Sequence, residues 1–118
     1  MTIKKYDLQE RLVKFSASII LNIGILKKNF ATEHLTKQLI RSATSAALNY
    51  GEAQGAESRR DFIHKMKICL KELRESQVNL QILEEADLID NKIKFEAITN
   101  ECKELVAIFA SSIKTTNK

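Results

Sequence analysis

The amino-acid sequence predicts an all-α protein, an antiparallel up-down-up-down four-helix bundle. The 118-residue chain contains no proline and only three glycines, the two residue types that most often interrupt helices. Apolar residues recur at alternating spacings of three and four in four segments, which is the pattern of one helix face. Short links join these segments, as they join antiparallel neighbours in bundles. We expect residues 1–118 to form a single domain.

The first helix is predicted to begin near Asp7, a candidate N-cap, and to continue to Lys28, after which Asn29 can end it. Its apolar stripe comprises Leu8, Leu12, Phe15, Ile19, Ile23 and Leu26, with Val13, Ile20 and Ile25 alongside. This apolar surface is wider than packing against one partner helix requires.

The second helix is predicted to start near Thr32 and to fade between Gly51 and Gly55. Its inner face comprises Leu35, Leu39, Ala43, Ala46 and Tyr50. Because several side chains around this face are small, we expect another helix to approach it closely.

The third helix is predicted from about Ser58 to Glu85, with Ser58 as N-cap and Asp61 three residues later. Its heptad repeat comprises Phe62, Met66, Cys69, Leu73, Ser76, Leu80 and Leu83. This repeat predicts one long helix with a single strongly buried face.

The fourth helix is predicted from about Lys92 to Lys114, with Asp90 or Asn91 as its cap and a frayed tail over residues 115–118. Its repeat comprises Phe95, Ile98, Cys102, Leu105, Phe109 and Ser112. The first, third and fourth helices carry more apolar surface than one bundle core requires, so we expect a homo-oligomer.

The chain has the features of a cytoplasmic protein that does not enter a membrane. Cys69 and Cys102 lie on predicted core faces without a metal-binding spacing, so we expect buried free thiols and a reducing compartment. No apolar signal-peptide core is evident, and the most apolar run, residues 17–26, is far shorter than the roughly 20 residues that span a bilayer.

The sequence contains no recognisable catalytic, cofactor or metal motif. Neither a Gly-x-Ser-x-Gly elbow nor a Gly-rich phosphate loop occurs. Its histidines are His34 and His64, and Asp61-x-x-His64 occurs once, whereas di-metal bundles use two Glu-x-x-His pairs. We therefore expect a protein that is not an enzyme and binds no cofactor or metal.

Positive charge is concentrated in the first half of the chain. The net charge is +4, and residues 1–50 carry eight lysines and arginines against three acids. Candidate phosphate contacts are Lys27, Lys28, Lys37, Arg41, Arg59, Arg60, Lys65 and Lys67, with Lys71 and Arg74 on the same face of the third helix. Both tyrosines are isolated and the phenylalanines are interpreted as core, so we expect backbone-directed, salt-sensitive binding without base stacking. The alternative is an ordinary solvated surface.

Two carboxylates, Glu52 and Glu75, lie beside the predicted buried faces. If Glu75 is partly buried, it needs a partner such as Arg41 or Asn49, because an unpaired buried carboxylate is costly. A solvated glutamate on a helix flank is the alternative, and the sequence leaves both open.

An ordered set of residues in the centre of the chain resembles a known family. The set comprises Arg41, Ser42, Ala43, Ser45, Asn49 and Glu52, followed by Phe62, Leu70, Leu73 and Glu75. It resembles the four-helix-bundle family encoded within intervening sequences of bacterial 23S ribosomal RNA genes, and the similarity extends over nearly the whole chain. Where family members often read Asn-x-x-Glu-Gly, this chain has Ala53 after Glu52, with the next glycine at Gly55.

The resemblance implies antiparallel four-helix protomers assembled as homopentameric rings, with Arg41, Ser45, Asn49, Glu52 and Glu75 as structural motif positions. The family is similar to the accessory protein of diversity-generating retroelements, a basic pentameric bundle that binds nucleic acid and its reverse transcriptase. We therefore expect a non-enzymatic oligomer that binds structured RNA or DNA through a repeated basic surface. The alternative is a protein-interaction adaptor or structural scaffold that binds no nucleic acid.

Overall fold

A computed structural model describes residues 7–116 as a succession of four α-helices and one 3₁₀ helix. The elements are α1 (Leu8–Leu21), the 3₁₀ helix (Ile23–Ile25), α2 (Phe30–Gln54), α3 (Arg59–Glu85) and α4 (Lys92–Thr116). Between residues 7 and 116 the only strand-like pairing is an isolated antiparallel bridge between Leu26 and Ile89. The prediction of an all-α chain with four helices is confirmed. No helix in this range is long and apolar enough to cross a bilayer.

Side-chain caps fix the helix starts. The Asp7 carboxylate accepts a hydrogen bond of 3.0 Å from the Glu10 amide, and the Ser58 hydroxyl accepts one of 3.0 Å from the Asp61 amide. Both caps match the sequence predictions. At α4, where the sequence left two candidates, the Asn91 side chain accepts from the Lys94 amide at 3.0 Å. Each bond satisfies one N–H that the first turn of a helix leaves without a partner.

The predicted end of the first helix, Lys28, is wrong: α1 ends seven residues earlier, at Leu21. The side-chain amide of Asn22 donates to the Ser18 carbonyl at 2.7 Å, and the backbone N–H of Asn22 donates to the Ser18 and Ile19 carbonyls. These bonds satisfy the last carbonyls of the helix and allow the chain to turn. Asn29, predicted to end this helix, lies beyond it.

The segment after α1 pairs with the connection between α3 and α4. The Lys27 amide donates to the Leu88 carbonyl at 2.9 Å, and the Asp90 amide donates to the Ile25 carbonyl at 2.6 Å. Leu26 is extended and buried, and so is its bridge partner Ile89. These contacts are made between segments about 60 residues apart, so local apolar periodicity does not report them.

Two other predicted boundaries are also wrong. α2 begins at Phe30 rather than near Thr32, because the Asn29 side chain caps it by accepting from the Thr32 amide at 2.8 Å. α4 continues to Thr116, whose hydroxyl donates to the Ser112 carbonyl at 2.8 Å, so Thr115 and Thr116 are helical rather than frayed. The last two residues of the predicted tail lie outside the described part of the chain.

The C-terminal part of α2 follows the prediction. The helix passes through Gly51 and ends at Gln54, with Gly55 as its C-cap. Gly51 lies beside α1, where a Cβ atom would stand 3.1 Å from the Gln9 side chain, which in turn donates to the Ala47 carbonyl at 3.0 Å. The glycine therefore permits close contact between α1 and α2.

α2 and α3 pack closely along their length. Contacts join Leu35 with Asn79, Ser42 with Ser76, Ala46 with Cys69 and Glu52 with Lys65. Residue numbers therefore rise along α2 as they fall along α3. Ala43 and Ala46 are completely buried, and the Cys69 thiol lies 3.5 Å from the Ala46 carbonyl. The predicted close approach at the small face of α2 is confirmed.

α4 contributes Phe109, the largest fully buried side chain among residues 7–116. Phe109 is completely buried, and its ring meets the Tyr50 ring edge-on, with centroids 5.5 Å apart. Cys69 and Cys102 are buried free thiols, as the sequence predicted. Their burial raises the pKa of each thiol to about 12. Of the other predicted inner positions, Leu35, Phe62 and Ser112 are half-buried, and Ile23 is 40% exposed.

An ion pair that sequence reasoning did not find connects α1 to α4. The Arg11 guanidinium donates two hydrogen bonds to the Glu101 carboxylate, at 2.6 and 3.0 Å, and a third to Glu104 at 3.1 Å. The hydrogen bonds to Glu101 raise the pKa of the Arg11 guanidinium above its ordinary value. Because both carboxylates lie some 90 residues away in sequence, spacing alone gives no signal for this contact.

Replacing Ala46 by Leu should destabilise the fold. The side chain has no free space, and overpacking of this kind costs about 1–3 kcal/mol. For a chain of this length we expect the melting temperature to fall by about 4–12 °C. Ala107→Leu, at an exposed position of α4, is the matched control. An unchanged melting temperature in Ala46→Leu would contradict the packing described here.

Candidate nucleic-acid interface

One exposed face of α3 carries a line of basic residues. The line, here called the α3 stripe, consists of Arg60, His64, Lys67, Lys71 and Arg74. Their alternating spacings of four and three place them one above another on the helix, and all are exposed. The stripe runs from Arg60 to Arg74, and its two ends are about 21 Å apart at the helical rise.

Most cations of the α3 stripe are free within residues 7–116. Lys71 Nζ lies 3.8 Å from Glu75, a loose pair between exposed groups. Arg60, Lys67 and Arg74 make neither an ion pair nor a side-chain hydrogen bond with another described residue. The sequence predicted all four cations on the outer face of the third helix, and each is exposed there.

A second exposed line runs along α2. This α2 stripe consists of Phe30, His34, Lys37 and Arg41, again at spacings of four and three. The expectation that the phenylalanines belong to the core is wrong for Phe30, which is 86% exposed. Its ring is nearly parallel to that of His34, with centroids 6.5 Å apart and planes 15° apart. The local reason is position: Phe30 is the first residue of α2 and points away from the face that α3 covers.

The two stripes meet at Glu75. Its carboxylate lies 3.1 Å from Arg41 of the α2 stripe and 3.8 Å from Lys71 of the α3 stripe. A solvent-open groove of about 700 Å³ lies at this junction, and Arg41, Lys67, Lys71 and Arg74 are among its lining residues. Of its apolar lining residues, Val78 and Ile82 are 53% and 46% exposed. The stripes therefore form one continuous basic surface across α2 and α3.

Lysines also gather around the start of α2. Lys27, Lys28 and Lys37 line a pocket of about 410 Å³ between the 3₁₀ helix and α2. Lys27 is 3.8 Å from Asp87 and Lys37 is 3.9 Å from Glu33, while Lys28 makes no ion pair within the described range. Such distant pairs between exposed groups contribute little free energy and leave the lysines available to another anion.

Two predicted phosphate contacts are instead engaged inside the chain. Lys65 Nζ lies 2.6 Å from the Glu52 carboxylate, and this hydrogen bond raises the pKa of Lys65. The Arg59 guanidinium donates to the Thr116 carbonyl and so ties the start of α3 to the end of α4. Both side chains hold helices together where the sequence suggested phosphate binding.

Arg41 is also engaged, and it partners a carboxylate that sequence reasoning missed. Its Nη2 donates to Glu75 at 3.1 Å, which matches one of the two interpretations of Glu75, although that side chain is 42% exposed. Its Nη1 lies 3.7 Å from Glu72, whose side chain is only 9% exposed and whose Oε1 has no hydrogen-bond partner. Glu72 is therefore the buried carboxylate of this region.

The sequence does contain a signal that Glu72 is buried, namely a line of polar residues on α3. Glu72, Ser76 and Asn79 follow one another at spacings of four and three, so they share the face that meets α2. The hydroxyls of Ser42 and Ser76 share a buried hydrogen bond of 2.6 Å. The Asn79 amide donates to the Leu35 carbonyl at 3.1 Å. Polar contacts as well as apolar ones thus join the two helices.

The remaining motif positions bond within α2. The Asn49 side chain donates to the Ser45 carbonyl at 2.9 Å and to its hydroxyl at 3.2 Å. Together with the pairs of Arg41 with Glu75 and of Glu52 with Lys65, these bonds involve all five motif positions. Within residues 7–116 no group of three or more His, Cys, Asp or Glu side chains is placed to hold a metal ion.

Comparison with known proteins identifies a family and a similar solved structure. The sequence model of the family described as 23S rRNA-intervening sequence protein matches residues 4–111. The chain is also similar to a solved structure, a protein with unknown function from the S23 ribosomal protein family of Bacteroides thetaiotaomicron. Identity is 33%, the match covers 90% of this chain and 97% of that one, and the TM-score is 0.78. No curated protein matches the chain.

Replacing Arg41 by Met should lower the free energy of unfolding by about 1–3 kcal/mol, because the buried Glu72 loses its nearest cation. Urea denaturation measures the change. Adding Glu72→Gln to Arg41→Met should recover part of the loss, since the neutral amide needs no cation. Lys28→Met is the control for loss of an exposed charge. An equal loss in the single and double variants would contradict the coupling.

Proposed function

The chain belongs to the 23S rRNA-intervening sequence protein family, and we propose that it is a non-enzymatic, cytoplasmic, oligomeric protein that binds structured RNA or DNA. The observation that carries the proposal is the α3 stripe, where three cations lack a partner within residues 7–116. Lysine and arginine side chains bind phosphates through charge and release counterions when they do so. A continuous basic surface across two helices suits a phosphate backbone, which presents charge at regular intervals.

The proposed protomer is an antiparallel up-down-up-down bundle. Support comes from the contacts between α2 and α3, in which Leu35 meets Asn79, Ser42 meets Ser76 and Glu52 meets Lys65. The short links before α2, α3 and α4 also favour antiparallel neighbours. In this arrangement the α2 and α3 stripes lie side by side.

The proposed assembly is a homopentamer, as the family resemblance implies. Support comes from apolar side chains that the protomer leaves uncovered on α1: Val13 is 52% exposed, Ile20 48% and Leu21 82%. Leu48 of the neighbouring α2 is 68% exposed. Apolar surface of this kind marks association sites, and a ring would repeat the basic surface of each protomer.

A second candidate function is a protein-interaction adaptor or scaffold that binds no nucleic acid. The observation that favours it is the groove between α2 and α3, where exposed Val78 and Ile82 lie among the basic residues. Phosphate backbones gain nothing from apolar side chains, whereas protein partners do. The two candidates differ in whether nucleic acid binds at low salt.

The affinity for a structured RNA should fall steeply with salt, and removing the α3 cations should flatten that dependence. The triple variant Arg60→Gln, Lys67→Gln, Arg74→Gln should reduce the slope of log affinity against log salt by roughly three, about one for each lost phosphate contact. Fluorescence anisotropy measures the affinity.

The matched control for this experiment is Lys94→Gln, Lys103→Gln, Lys114→Gln, which removes the same charge from exposed positions of α4. Equal weakening in the two triple variants would mean that net charge alone governs binding. If neither RNA nor DNA bound at low salt, the nucleic-acid proposal would be wrong and the adaptor would take its place.

Light scattering after size-exclusion chromatography should give a mass about five times that of the 13.4 kDa chain. Replacing Val13 and Ile20 by Asp should lower this mass, because two charges would enter the proposed apolar contact. A wild-type monomer would contradict the pentamer.

A further inference from the structure

We propose that Phe30 and His34 form a stacking platform for an unpaired nucleobase, with Lys37 contacting an adjacent phosphate. The proposal rests on the proposed nucleic-acid function and adds to it a class of ligand, single-stranded or looped RNA or DNA. It assigns a role to side chains that lie outside the α3 stripe. Base stacking is also the feature that the sequence argued against, because Phe30 was expected in the core.

The exposure of Phe30 is the first observation. Its side chain is 86% exposed, whereas Phe15, Phe95 and Phe109 are 5% exposed or less. An aromatic ring in water leaves a large apolar area unburied, and phenylalanine has no polar group to offset that. The Phe30 ring is not part of the core, so a ligand can cover it without disturbing the fold.

The paired rings are the second observation. Phe30 and His34 occupy positions i and i+4 of α2, and their planes are within 15° of each other at a centroid distance of 6.5 Å. Two nearly parallel rings on one face present flat π surfaces to solvent. Sequence-specific and general single-strand binders both use such rings, because every base has a π face.

The charges around the rings are the third observation. Lys37 continues the same face of α2 one turn beyond His34, and its pair with Glu33 is 3.9 Å long between side chains that are both more than 70% exposed. Lys28 lies two residues before Phe30 and makes no ion pair with any residue from 7 to 116. Lys28 and Lys37 also line one pocket at the start of α2, so a strand whose base covers Phe30 has two lysines near the start of the same helix.

The geometry favours an unpaired base over a duplex. A ring on a convex helix surface can reach a base only where that base is out of its stack, as in a loop, a bulge or a single strand. The α3 stripe provides the contacts that a duplex backbone needs, and these do not require an aromatic group. A structured RNA with a loop would use both surfaces, because the stripes meet at Glu75.

The test uses the full chain and a single-stranded RNA of about 12 nucleotides with one 2-aminopurine, within the range of site sizes known for single-strand binders. The same strand annealed to its complement serves as the duplex probe, and a DNA strand of the same sequence separates RNA from DNA. Phe30→Ala should weaken single-strand binding about five- to one-hundredfold and leave duplex binding unchanged. The wild-type protein should quench the 2-aminopurine fluorescence, and Phe30→Ala should not.

Two further variants separate stacking from simple apolar contact. Phe30→Trp keeps an aromatic face and should retain affinity, whereas Phe30→Leu keeps apolar area without a π face and should bind as weakly as Phe30→Ala. His34→Ala should cause a smaller loss than Phe30→Ala. Ile93→Ala is the matched control, because Ile93 is 85% exposed on α4 and should have no effect.

Several results would overturn the platform. Full affinity in Phe30→Leu would mean that Phe30 docks on an apolar surface of a protein or a membrane. A drop in the light-scattering mass of Phe30→Ala would place the ring against another copy of the chain. Equal losses on single-stranded and duplex probes would also refute it, while leaving the α3 stripe intact as a binding surface. If no probe bound at all, the platform and the proposed function would both be wrong.

Discussion

The close contact between α2 and α3 is the constraint on which the rest of the structure depends. Ala43 and Ala46 are completely buried, and their small side chains let Cys69 of α3 approach the α2 backbone. Larger residues would separate the helices, because core volume is fixed to within about a methylene group. The hydroxyls of Ser42 and Ser76 lie in the same narrow gap and form a hydrogen bond with each other, so both buried hydroxyls have a partner.

The charged surface follows from that contact. Once α2 and α3 are adjacent, their inner residues are determined, and exposed residues on either side of the contact form the α2 and α3 stripes. Carboxylates then divide the cations into two classes. Lys65 and Arg41 pair with Glu52, Glu72 and Glu75 and hold the two helices together, whereas Lys67 and Arg74 remain unpaired within the described residues. We infer that the paired cations serve stability and that the unpaired ones are available to a ligand.

Binding of a phosphate by Arg41 would cost free energy, because Arg41 already lies beside a buried carboxylate. A phosphate that drew the guanidinium outward would leave Glu72, 9% exposed, without its nearest cation. Desolvated carboxylates without a partner carry a large free-energy penalty. Lys37 and Lys28 carry no such penalty, since their neighbours are solvated. The proposed nucleic-acid contacts should therefore favour lysines at the start of α2 over the motif arginine.

The sequence by itself determined the number, type and approximate length of the helices and most of the buried faces. It also identified three of the four N-caps: Asp7 and Ser58 as single candidates, and Asn91 as one of two. These properties are local, because periodicity and capping involve residues within a few turns of one another. The tertiary structure decided the path of the chain after α1, because Leu26 pairs with Ile89, and which acid is buried, because Glu72 lies on the face of α3 that meets α2. It also decided that Phe30 is exposed and which cations are free. Those outcomes depend on contacts between residues 13 to 63 positions apart, and no spacing within one helix reports what the neighbouring helix covers.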